Sequence, residues 1–326
     1  MIATKLSGGL GNNLFQYAAV RTLAEKKGYS FCHFPLRGRR YYFKRVMEHF
    51  SRLCGNGREK DPKQVVAADL AHYFTLGKYS CTGSFVRRLV WLLMPKARKT
   101  EFVAATRPLD GTVSFPMFDP GFFDVGDWTE LSDGFQSDAY FADNRQSILR
   151  WYSLKPAYRS VLESIERRIG RPPEERCCIH VRRGDYLIMD KGLAWQGQGW
   201  ALPLAYYKET VSRLPKDLLF IIVTDSPDYV REHFGFLDNM IVMSGNSEVI
   251  DMHIFTLCRY NIIANSTFSW WGAWLNEQKS KQVIAPKYHL GWAKQSWLPW
   301  AFERHPEDWV YIDTLKLIEP QEMTPP

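Results

Sequence analysis

The sequence predicts an α/β protein built on parallel sheets, and three observations carry that expectation. The chain opens as strand, glycine loop and helix. Apolar Ile2–Leu6 runs into Ser7-Gly-Gly-Leu-Gly-Asn12, and Phe15, Ala18, Ala19 and Leu23 then recur at helical spacing as far as Lys27. Beyond residue 172, short apolar runs alternate with helical stretches. Leu218–Val223 is apolar at every position and the other runs nearly so, as in strands covered on both faces.

In chain order, Asn12 is placed to cap a first helix over Asn13–Lys27 and Gly28 to stop it, with Ser30–Phe34 as the next strand. Residues 37–130 hold basic clusters (Arg37, Arg39, Arg40, Lys44, Arg45 and later Arg87, Arg88, Lys96, Arg98, Lys99), a Gly55-Asn-Gly57 turn and several prolines, and give few definite elements. Helical patterns return over 144–154 and 158–169. Strands at Cys177–Val181, Leu218–Val223, Met240–Met243, Asn261–Ala264 and Val283–Ala285 then alternate with helices over Pro203–Leu214, after Pro227, over Glu248–Arg259 and over Phe268–Gln278. A chain of 326 residues exceeds the usual single core, so two domains are expected, 1–172 and 173–326, divided at the polar break Arg171-Pro-Pro-Glu-Glu175.

Composition narrows the function. Hydrophobic residues at 45% and charged residues at 24% exclude a disordered chain. The net charge of +7 favours anionic partners without choosing among them, and no zinc-finger or RNA-recognition signature supports nucleic acid. The six cysteines form no Cys-x-x-Cys and read as reduced thiols of a cytoplasmic protein. The N-terminus lacks a signal-peptide layout, and no apolar run approaches the ~18 residues of a membrane span. Leu89–Met94 belongs either to the core or to a membrane surface, which leaves peripheral contact at the inner face of the membrane open. The 12 tryptophans are either a bulky core or a surface that stacks on sugar rings.

Ligands of parallel sheets bind beyond the carboxyl ends of the strands, so the residues that follow each strand are the candidates. His180-Val-Arg-Arg-Gly-Asp-Tyr186 sends its two arginines to opposite sides, because strand side chains alternate. An arginine there can hold a phosphate through paired hydrogen bonds; equally, an Arg–Asp pair could staple the loop, with Arg182 on ligand and Arg183 held by Asp185. In Thr224-Asp225-Ser226-Pro227 the carboxylate either meets the base or ribose of a nucleoside, or Asp225 or Ser226 caps the helix that starts at Pro227. Asn265-Ser-Thr-Phe-Ser269 leads into a helix, an arrangement suited to anions, while Trp270, Trp271 and Trp274 read as that helix's buried face. The Gly8–Gly11 loop matches a dinucleotide fingerprint only in part, since Leu14 stands where a third glycine is needed. That argues against a nicotinamide enzyme, but leaves a backbone able to approach a phosphate or sugar closely.

Five segments together resemble the inverting α-1,2-fucosyltransferases of glycosyltransferase family 11. They are Gly8-Gly-Leu-Gly-Asn-Asn-Leu-Phe-Gln-Tyr-Ala18, Gly134-Phe-Gln-Ser-Asp-Ala-Tyr-Phe141, His180–Tyr186, the Thr224-Asp225 turn and Asn265–Leu275, in the family's order. One departure is Asn13, where the family commonly has Gln. The resemblance implies a GT-B architecture, two Rossmann-like domains facing a cleft, with the second holding GDP-fucose and the first facing a galactose-terminated glycan. It implies no metal, and the chain has no Asp-x-Asp motif to hold one. In related α-1,6- and protein O-fucosyltransferases the first arginine of the matching motif contacts the β-phosphate, which is the role implied for Arg182. His180 and Arg183 would then face the nucleotide, Asp225 its base or ribose, and Ser266, Thr267 and Ser269 the phosphates, with Gly9 and Gly11 in the other loop. Asn12 lies where a similar loop nears the reacting centre. Asp185, or Asp190 on the following loop, is the candidate to take the acceptor's proton. The competing readings are transfer from another GDP-sugar, or a non-catalytic module for polysaccharide or RNA.

Overall fold

The computed structural model describes residues 1–35, 70–77, 81–103, 106–109, 113–116, 118–132, 134–187, 200–288, 306 and 308–317. The basic group Arg37–Arg45, the Gly55–Gly57 turn and Asp190 lie outside them. The chain divides into two compact units. The first comprises Met1–Ala104, Asp119–Phe135 and Asp143–Ser153; the second comprises Ala105–Phe118, Gln136–Ala142 and Leu154–Pro326.

In the first unit, β1 (Ile2–Leu6) lies between β2 (Phe31–Pro35) and β6 (Thr129–Ser132), and β3 (Thr100–Val103) flanks β6; all of these pairs are parallel. Helix α1 begins at Leu10, not Asn13, and runs to Lys27 with Gly9 at its cap. Asn12 is therefore inside the first turn rather than capping it, and Gly11 is helical. The reason is Gly8, whose φ of +78° turns the chain early. Gln16 then closes the loop, accepting from Ser7 N at 2.8 Å and donating to Ser7 Oγ at 2.9 Å. Gly28, at φ +68°, stops the helix as expected. Nearly all of α1 is buried.

Residues 70–132 are more regular than the sequence suggests. They include α2 (Leu70–Tyr73), α3 (Cys81–Leu93), β3, β6 and a hairpin of β4 (Thr106–Leu109) with β5 (Val113–Pro116). These strands have four residues each, too few for a period to declare itself. Helix α4 (Arg145–Trp151) completes the first unit.

The second unit takes in the β4–β5 hairpin and, from α5 (Pro156–Ile169) onward, follows the expected rhythm. Its strands are β7 (Arg176–Val181), β8 (Leu219–Thr224), β9 (Met240–Met243), β10 (Tyr260–Ile262), β11 (Gln282–Pro286) and β12 (Val310–Ile312). They pair in parallel in the order β9-β8-β7-β10-β11-β12. Counted from β7 this is the doubly wound order 3-2-1-4-5-6, which reverses direction between β7 and β10. Helices α6 (Leu204–Ser212), α7 (Pro227–His233), α8 (Glu248–Ile254) and α9 (Thr267–Leu275) connect the strands.

One sheet face packs Cys177, Ile179 and Val181 with Phe220, Ile222, Tyr206 and Tyr207. The alternate residues Cys178 and His180 lie on the other face, where His180 meets Phe255 and Phe268. Both faces are covered, which explains the unbroken apolar runs. Each unit is thus α/β, built on a parallel sheet, as the sequence predicts.

The described tryptophans beyond residue 190 are buried: Trp200, Trp270, Trp271, Trp274 and Trp309. Trp271 stacks on Phe141 at 5.4 Å, so these rings build core, not the sugar-stacking surface that composition left open.

Candidate active site at the strand ends of the second unit

In a doubly wound sheet the loops leaving the two strands beside the reversal diverge to opposite faces and leave a crevice between them. Here those loops follow β7 and β10, and they carry His180–Tyr186 and Asn265–Ser269. Strand β8, the other neighbour of β7, delivers Thr224 and Asp225 alongside. Thr224 Oγ1 donates to Val181 O at 2.9 Å and accepts from Ser226 N at 3.0 Å, pinning the two strand ends together.

Arg182 is the centre of the cluster. One terminal nitrogen lies 2.9 Å from Asp225 Oδ2, the other donates to Asp185 Oδ1, and the guanidinium lies 5.5 Å from the Tyr186 ring centroid. The side chain is one-third exposed, so its remaining N–H donors can reach a ligand. Asp225 Oδ1 meanwhile accepts from Arg183 N at 3.0 Å and from Ser226 Oγ at 3.3 Å. This corrects two expectations. Asp185 pairs with Arg182, not Arg183, whose guanidinium instead lies over the Tyr229 ring at 3.6 Å on the other side of the strand. Of the two capping candidates, Ser226 holds the cap position of α7, with no side-chain cap bond, and Asp225 turns its oxygens to Arg182 and to Arg183 N instead. Gly184 permits that approach: a Cβ there would sit 2.6 Å from Asp225 Oδ2.

His180 lies at the end of β7, buried, with Nδ1 unpartnered among the described residues. Burial, reinforced by the charge of Arg182, pushes its pKa down to about 3 and keeps the ring neutral at ordinary pH. Tyr186 spans the two loops, its hydroxyl donating to Asn265 O at 3.1 Å; burial pushes that phenol up to about 12. Asn265 Nδ2 donates to Trp200 O at 3.0 Å, and Trp200 N to Tyr186 O at 2.8 Å. Asn265 Oδ1 and Trp200 Nε1 are buried without a partner among the described residues. Three orphaned polar atoms on one set of loops is a concentration that folded proteins rarely leave unexplained. Sequence reasoning missed Trp200 and Tyr229 and gave Tyr186 no role of its own. Only Tyr186, inside the motif, carried a signal.

The hydroxyls of α9 divide. Ser266 is the cap, its Oγ accepting from Phe268 N at 3.4 Å, and Thr267 is the half-buried first residue of the helix. Ser269 is fully buried and donates inward to Ala264 O at 3.3 Å and Ser266 O at 3.2 Å, so it supports the turn rather than offering a hydroxyl to a phosphate. Gly9, Gly11 and Asn12 belong to the first unit, with Asn12 half-buried beside Gly8. Among the described residues no group of three or more His, Cys, Asp or Glu converges.

The profile of glycosyl transferase family 11 matches residues 126–313, a span that contains all of these strand ends. The chain is similar to the O-antigen biosynthesis glycosyltransferase WbnK of Escherichia coli, with 25% identity over 86% of this chain and 92% of that protein. It is similar to an α-1,2-colitosyltransferase of Escherichia coli, with 24% identity over 96% and 99%. Galactoside α-(1,2)-fucosyltransferase 1 of Aotus azarae is 27% identical over 47% of this chain and 44% of that one. With its profile covering more than half of the sequence, the chain belongs to glycosyltransferase family 11.

Proposed function

We propose that this glycosyltransferase moves L-fucose from GDP-β-L-fucose to the 2-hydroxyl of a terminal galactose in a glycan, with inversion and without a metal. The observation that carries the reading is Arg182, fixed by Asp185 and Asp225 at the end of β7 beside the strand-order reversal. Its free donors meet the β-phosphate, and the N-terminus of α9 with Ser266 and Thr267 meets the same diphosphate from β10. As the bond between the sugar C1 and the β-phosphate oxygen breaks, negative charge grows on GDP, and a donor already held in place stabilises that state more than the ground state. The acceptor oxygen forms the new bond to C1 and gives its proton to a carboxylate, Asp185 or Asp190. Asn12, in the glycine loop, is the further candidate for a part in the transfer. Similarity to the O-antigen enzyme supports a role in oligosaccharide or O-antigen assembly, and we place that role in the cytoplasm.

The likeness to a colitosyltransferase along almost the whole chain favours a second reading, transfer of a colitosyl group to the same hydroxyl. The deciding experiment is a transfer assay in EDTA, with GDP-fucose and GDP-colitose offered in parallel to lactose, N-acetyllactosamine and type 1 chain acceptors. An α-1,2-fucosylated product formed in EDTA is the expected result. Colitosyl transfer alone would establish the second reading, and a requirement for Mn²⁺ would overturn the metal-free mechanism.

A further inference from the structure

Helix α3 of the first unit presents an apolar face. Its inner side is Arg88, whose Nε donates to His33 O at 2.6 Å, and Trp91, stacked on Trp128 at 5.8 Å. Its outer side carries Val86, Leu89, Val90 and Leu93, exposed by 59%, 45%, 42% and 74%, with Leu92 at their edge. They sit at i, i+3, i+4 and i+7, a single stripe. Isolated exposed apolar residues are ordinary, but a stripe of this kind marks a contact surface.

Charge identifies the contact. The helix runs into Pro95 and a 3-10 turn, Lys96–Arg98, where Lys96 and Arg98 are exposed; Lys99 follows, its ammonium 5.0 Å from the Trp91 ring centroid. Between Asp69 and Glu101 the sequence has no acidic residue and six Lys and Arg. An apolar stripe with basic residues at its end is the pattern of a helix lying in the interface of an anionic bilayer. No helix among the described residues is long and apolar enough to cross a membrane.

We propose that α3 and its basic turn dock this protein on an anionic lipid surface, with Val86, Leu89, Val90 and Leu93 in the headgroup–acyl boundary and Lys96, Arg98 and Lys99 on the lipid charges. The test is co-sedimentation of the full chain with vesicles of phosphatidylcholine alone and of phosphatidylcholine with phosphatidylglycerol. The wild type pellets with the anionic vesicles and is released at about 0.5 M salt. Lys96→Gln/Arg98→Gln lowers that partition about 25-fold, at roughly fivefold per basic residue. Leu89→Gln/Leu93→Gln lowers it at least about tenfold, with the melting temperature and turnover on a soluble acceptor unchanged. If the apolar variant fails to fold, the charge variant on the exposed turn carries the test alone. Absence of anionic-vesicle binding by the wild type overturns the proposal, as does binding that Lys96→Gln/Arg98→Gln leaves intact. A self-association removed by Leu89→Gln/Leu93→Gln would assign the stripe to a second copy and overturn it equally.

Discussion

The turn from β1 into α1 and the turn from β10 into α9 follow one plan: a parallel strand feeds a polar loop into a helix N-terminus. Their polar groups are committed in different ways. At the first, Gly8 turns the chain against Asn12, Gln16 holds Ser7 through two hydrogen bonds, and Gly9 caps without a side chain. At the second, Ser266 caps the helix, and around it lie the Arg182 guanidinium, one-third exposed, and buried polar atoms that have no partner among the described residues. Glycine density therefore reports a backbone shape, whereas capacity for a charged ligand follows strand order and the side chains brought to the reversal.

The largest break in that comparison is Arg182→Ala, which removes a fixed donor from the leaving group. Turnover should fall by about 10²–10³-fold, seen in steady-state kinetics mainly in kcat. Gly184→Ala sharpens it, since the new Cβ would displace Asp225 and with it one anchor of Arg182. A loss of ~10–100-fold in kcat with an unchanged melting temperature is expected, because misplacing a catalytic donor by about 1 Å has that effect.

The buried face beneath the site gives a pH signature. His180 titrates near 3 when folded, against roughly 6.5 when unfolded. Between these values the unfolded chain binds the proton that the folded chain resists. The stability that His180 contributes is thus complete above about pH 6.5 and is lost as pH falls toward 3. Urea unfolding over that window should show wild-type stability falling with pH, and a shallower fall in His180→Gln.

Two glycines complete the series through stability alone. Gly272→Ala, with its Cβ 2.7 Å from Phe255 Cδ2 and 2.9 Å from Met252 O, should cost about 1–3 kcal/mol. Gly8→Ala, at φ +78°, should cost about 1–2 kcal/mol from its left-handed backbone, both read from chemical denaturation.

Much of the second unit was legible in the sequence because its strands are buried on both faces and announce themselves as apolar runs. Strand β12 was not, since Val310-Tyr-Ile312 is too short to stand out. Nor was the division of labour between the arginines. Alternation correctly sent Arg182 and Arg183 to opposite sides, but choosing the partner of Asp185 required knowing that Asp225, at the end of the next strand, rises beside Gly184. The buried polar atoms of His180, Asn265 and Trp200 that lack a partner among the described residues were equally invisible, because they arise from the pairing of β7 with β10 and from a loop closure onto Tyr186. The helix start at Leu10 was misjudged for a local reason, the left-handed Gly8, which sequence spacing does not record.

The central claim is that the strand ends of the second unit hold the diphosphate of the donor. Calorimetric titration of the full chain with GDP in EDTA tests it most directly, comparing wild type, Arg182→Ala and Asn12→Ala. The account predicts metal-independent binding that Arg182→Ala weakens severely and Asn12→Ala leaves near wild type, although Asn12→Ala still slows transfer. Binding lost in Asn12→Ala and kept in Arg182→Ala would contradict it.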